Sequence, residues 1–197
     1  MILSDLRWAR LLLVLSGAAA LGWQFIWTTQ WTLLLGHEIY AVLAVAASFL
    51  GGLCVGTWFM ALPKVLTLNV LRLYVLAELA IATWAALLIF VVPGLSPSVA
   101  AWLGETPAPW MQAALAFLLP WLLLLPATFA MGITLPAMMG VLRSHSKNMP
   151  DLYAANTLGA CLGVAVIVFY LLPDKAMLQK EAHIKQQYTL LKISHFI

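Results

Sequence analysis

Polar residues are so sparse along this chain that they punctuate it. Apolar stretches run approximately over residues 11–35, 39–60, 71–92, 109–139 and 152–172, parted by short groups of charged, glycine or proline residues. A helix rises about 1.5 Å per residue and a bilayer core is about 30 Å thick, so about 20 residues cross it. The pattern therefore predicts an all-α, polytopic transmembrane bundle of about five spans. The fourth stretch is longer than a crossing requires and contains Pro120, Pro126 and Pro136, which predicts a bent, tilted or partly re-entrant helix. Beyond Pro173 the pattern breaks into "DKAMLQKEAHIKQQYTLLKISHFI". Residues 1–173 thus read as a membrane domain. Residues 174–197 read as a polar, basic tail, either an interfacial helix or a disordered end.

Composition agrees with the periodicity. Hydrophobic residues make up 64% of the 197 and charged residues 9%, and the mean hydropathy is +0.99, against roughly half apolar in soluble domains. The start, "MILSDLRWARLLLVLSGAAALG", imitates a signal peptide, but the apolar run continues into "WQFIWTTQWTLLLG", which fits a retained first span. Arg7, Arg10, Lys64, Arg72, Arg143 and Lys147 fall on one set of connections, whereas "GHE" and "PGLSPSVAAWLGETPAP" contain no Lys or Arg. The positive-inside rule puts the N-terminus in the cytoplasm and, with five spans, the C-terminus outside, although the four lysines of the tail oppose that placement. Basic residues spread in this way orient a membrane protein; they form no clustered face for nucleic acid. Cys54 and Cys161 lie within apolar segments at a spacing that suits neither a metal site nor a redox pair, and read as small packing residues.

Two glycine stripes stand out. Ser48, Gly52 and Gly56 recur every four residues in the second span, and Ala155, Gly159 and Gly163 do so in the fifth, each series enclosing a cysteine. Small residues at this spacing let helices approach closely in lipid. They also raise the idea of an internal repeat of opposite topology, as in carriers, with a sixth helix missing.

Four polar residues inside the spans form a candidate cluster. Glu78 interrupts "LYVLAELAIATW" roughly 10 Å from the cytoplasmic end of its span, and Thr134 and Asn156 lie at similar depth. Gln24 lies nearer the midplane between Trp23 and Trp27. A carboxylate in lipid is costly and must be shielded, paired or protonated. It fits either a proton or amine site or a hydrogen bond to Thr134, Asn156 or a backbone group that holds helices in register. His37 and Glu38 are too few to bind a metal. No nucleophile setting or phosphate-binding loop occurs, so neither catalysis nor a cofactor is expected.

The motifs "SGAAALGWQFIWT", "LGHEIYAVLAVAASFLGGLCVGTW", "LRLYVLAELAIATWAALL", "LLLPATFAMGITLP" and "LYAANTLGACLGVAVIVFYLLP" follow in an order that resembles the N-terminal membrane region of bacterial spermidine-synthase-like membrane proteins. The resemblance covers approximately residues 12–173. It implies a carrier-like half-bundle in a bacterial cytoplasmic (inner) membrane, with the motif positions Gln24, Trp27, Tyr40, Gly51, Gly52, Gly56, Glu78, Thr134, Pro136, Tyr153, Asn156, Thr157 and Gly159 carried over. Such proteins continue into a soluble aminopropyltransferase domain, which this sequence does not contain. The resemblance thus implies a truncated or frame-shifted copy: a non-catalytic anchor or scaffold whose partners are the lipid bilayer, itself or a separate spermidine-synthase-like domain. The other function it admits is a small oligomeric carrier for a polyamine or another cation.

Overall fold

The computed structural model describes residues 6–35, 38–103, 108–142 and 149–171. The 174–197 tail and His37 lie outside them. Five helices follow in chain order: α1 (Leu6–Leu35), α2 (Glu38–Met60), α3 (Val70–Leu103), α4 (Pro109–Val141) and α5 (Met149–Val166), the last running into a π-helical turn at Ile167–Leu171. All five are long and apolar enough to cross a membrane. The described residues form an all-α bundle without strands.

Local chemistry sets several ends. The Asn69 carboxamide oxygen accepts from the backbone N–H groups of Leu71 (3.1 Å) and Arg72 (3.2 Å), which caps α3. Pro109 opens α4, where its missing N–H costs nothing. The apolar span itself ends at Leu95, close to the expected residue 92, but the helix does not stop there. α3 continues through Pro93 and Pro97 to Leu103, so most of the anticipated loop "PGLSPSVAAWL" is helix. The two prolines are one turn apart and Val92 and Val99 stay buried along the same extension. Packing overrides the turn signal. The fourth stretch likewise forms one uninterrupted helix through its three internal prolines. At about 50 Å, both helices outrun the hydrocarbon core.

Two parallel helix pairs dominate the bundle: α2 with α4, and α1 with α5. Each is a seam where backbone meets backbone. A Cβ at Gly52 would press on Thr128, one at Gly56 would lie 2.9 Å from Gly132 Cα, and one at Gly132 would lie 2.6 Å from the Leu53 carbonyl oxygen. On the other pair, a Cβ at Gly159 would lie 2.7 Å from Val14 Cα and one at Gly163 2.7 Å from Ala18 Cα. Real Cβ atoms do not come so near, so only glycine permits these approaches. In lipid, where apolar burial gives no net drive between helices, such contact supplies the attraction through dispersion. Ser48 is buried on the first seam and Ala155 half-buried beside the second.

The seams repeat each other in register. Thr128 and Gly132 meet α2 as Val14 and Ala18, 114 residues earlier, meet α5, while Gly159 and Gly163 follow Gly52 and Gly56 by 107. α3 lies along α4, with Gly140 against Val70 at one end and Trp84 against Leu123 further along. It also touches α1.

The outer surface is apolar. Phe90, Trp102, Trp110 and Phe169 are each more than 70% exposed, an arrangement suited to lipid and not to water. Cys54 and Cys161 are unpaired and on outward faces. The expectation that they pack inside the bundle is therefore corrected: the i+2 position from an inward glycine points away from the seam.

Candidate functional site

The carboxylate of Glu78 is held from the neighbouring helix: Ser16 Oγ on α1 donates to Glu78 Oε1 at 2.7 Å, and Tyr74, one turn earlier on α3, lines the same groove. The partners anticipated from depth alone, Thr134 and Asn156, are not the ones used. Thr134 Oγ1 donates to the Met131 carbonyl in its own helix at 2.8 Å, and Asn156 is on α5, across α1 from Glu78. Geometry explains the difference. α1 packs against both α3 and α5, so its small residues at Ser16 and Gly17 separate the Glu78 side from the Asn156 side.

Ser16 therefore borders two spaces. On one side is an open groove between α1 and α3, about 490 Å³, with Glu78 and Tyr74 among leucine, valine and alanine side chains. On the other is a cavity of about 610 Å³ bounded by α1, α2, α4 and α5. Its polar lining comprises Ser16, Thr57, Thr134, Tyr153, Asn156 and Thr157, and none of its lining residues is charged. Thr134 and Asn156 thus share a cavity, and Glu78 stands behind Ser16 outside it. Gln24 joins neither space. It lies two turns along α1 from Ser16, roughly 12 Å, where its backbone carbonyl accepts from Thr28 at 2.8 Å and the Trp23 and Trp27 rings stack at 6.0 Å.

Three polar side chains of neighbouring helices donate to backbone carbonyls of α4. A proline lacks the N–H that would bond the carbonyl four residues earlier, so Pro136 frees Gly132 and Pro126 frees Leu122. Thr57 Oγ1 of α2 donates to the Gly132 carbonyl at 3.2 Å. Trp84 Nε1 of α3 donates to the Leu123 carbonyl at 2.7 Å. Ser48 Oγ of α2 reaches the Trp121 carbonyl at 3.1 Å. In the absence of water a neighbouring helix must satisfy such a group, as Thr57 does for the Gly132 carbonyl. At the end where α1 and α5 begin, Arg10 and Asp151 form an exposed ion pair at 2.6 Å.

No family model, characterised protein or solved structure matches the chain. The site must be read from its own chemistry.

Sequence inspection missed Ser16, Thr57 and Trp84. Ser16 was within reach, because counting along α1 from Leu6 and α3 from Val70 puts Ser16 and Glu78 within about 3 Å in depth. Thr57 and Trp84 required knowledge of which helix lies beside the prolines. Among the described residues, no three His, Cys, Asp or Glu side chains come together to hold a metal.

Proposed function

We propose that this chain is a non-catalytic multi-pass module of a bacterial cytoplasmic membrane, with its N-terminus on the cytoplasmic side, serving as an anchor or scaffold. Its partners are itself or a separate soluble domain of the spermidine-synthase-like kind that the motifs resemble. The observation that carries this reading is the use of the intramembrane polar groups. Glu78, Ser16, Ser48, Thr57 and Trp84 are all engaged in bonds that hold helices together or repair α4. A transport site instead gathers unengaged polar groups near mid-membrane.

The test is uptake of labelled spermidine into proteoliposomes with an imposed proton gradient. The scaffold reading expects no uptake above empty vesicles. The second reading, a small oligomeric carrier for a polyamine or another cation, draws on the Glu78 carboxylate facing an open groove. It expects uptake that Glu78→Gln abolishes; uptake unchanged in that variant would remove Glu78 from any transport role.

A further inference from the structure

We propose that the cavity bounded by α1, α2, α4 and α5 binds a small uncharged molecule that carries hydrogen-bond donors, with Asn156 as the residue that selects it. The cavity volume of about 610 Å³ falls within the range of about 300–1,000 Å³ typical of small-molecule sites. Its walls are fixed on two sides by the glycine seams, where backbone contact leaves no slack, so the space is preformed.

The chemistry of the lining decides the ligand class. Thr57, Thr134 and Thr157 have each committed their proton to a backbone carbonyl, so each hydroxyl oxygen offers only acceptor capacity. Among the described residues the Asn156 carboxamide has no hydrogen-bond partner, and it can both donate and accept. The site is therefore rich in acceptors and carries two two-way groups, Asn156 and the phenol of the largely exposed Tyr153. No charged side chain lines it, and the Glu78 carboxylate is across α1 and already bound by Ser16. A cation entering here would lose its hydration without a counter-charge, which is expensive. An alcohol or amide pays no such cost.

This inference does not depend on the scaffold reading, and its test is independent of the uptake assay. Ala160 lines the cavity. Ala160→Cys, in a chain whose Cys54 and Cys161 have been changed to alanine, is labelled in nanodiscs with methyl methanethiosulfonate. The labelling is repeated with 1,4-butanediol or with 1,4-diaminobutane, two chains of the same length that differ in charge. At twice its dissociation constant a blocking ligand slows labelling about threefold. The expected result is protection by the diol, none by the diamine, and loss of protection when Asn156→Ala is added. Failure of the diol to protect, or protection by the diamine as strong as by the diol, overturns the proposal. Should Ala160→Cys fail to fold, Thr157→Cys reports on the same cavity with a near-isosteric change.

Discussion

Replacing Gly163 by alanine adds one methyl group to the molecule, yet the bundle has no room for it. The new Cβ would stand 2.7 Å from Ala18 Cα and 2.8 Å from the Ala18 carbonyl carbon, and ordinary contact begins near 3.4 Å. Both obstacles are backbone, so no side chain can turn aside. α1 and α5 must part locally by at least about 0.7 Å, and a gap of that order forfeits roughly a quarter to a half of the dispersion energy of each atom pair it opens. Overpacking of this kind costs about 1–3 kcal/mol, or up to roughly a hundredfold in the folding equilibrium. The assay is unfolding in mixed micelles titrated with dodecyl sulfate and followed by tryptophan fluorescence. Two glycines serve as references. A Cβ at Gly22, on the same helix pair, meets only Ile167 side-chain carbons at 3.5 Å and beyond, and one at Gly94 meets nothing within 4 Å. Gly22→Ala and Gly94→Ala should remain within about 0.5 kcal/mol of the parent. Equal stability for all three variants would refute the view that the seam is held by backbone contact.

Further expectations concern the polar bonds. Thr57→Val should cost about 0.6–1.7 kcal/mol in the same assay, and this cost should shrink when Pro136→Ala returns a backbone N–H to the Gly132 carbonyl; an unchanged cost in the double variant would show that Thr57 does not act through that carbonyl. Trp84→Phe should weaken the α3–α4 contact by about 1 kcal/mol through the lost bond to the Leu123 carbonyl, read as a lower unfolding midpoint in the same assay; a midpoint equal to the parent's would remove that bond from the contact. Ser16→Ala should destabilise by more than Glu78→Gln, because the first leaves a carboxylate with one donor fewer whereas the amide still accepts from Ser16; thermal unfolding in detergent ranks the two. Asp151→Asn removes an ion pair whose side chains are 42% and 55% exposed, so its effect should stay below about 1 kcal/mol and vanish in molar salt.

The sequence by itself determined the element type and number. Apolar runs about 20 residues long leave helices as the only solution in lipid, since each backbone group must be satisfied within its own segment, and the five spans follow from that constraint. It also marked Gly52, Gly56, Gly159 and Gly163 through their four-residue spacing, and Glu78 through its isolation. It did not determine neighbours. The same stripe of small residues can meet any helix, and only the folded bundle assigns the Gly52 stripe to α4 and the Gly159 stripe to α1. That choice puts α1 between α3 and α5, directs Glu78 to Ser16 instead of Asn156, and leaves Asn156 facing a cavity with Thr134. α3 shows the same limit at local scale. Pro93 and Pro97 announce a turn, yet α3 runs through both to Leu103 with Val92 and Val99 buried along it. Helix formation in a membrane is a property of each segment, whereas the pairing of helices is a property of all of them at once.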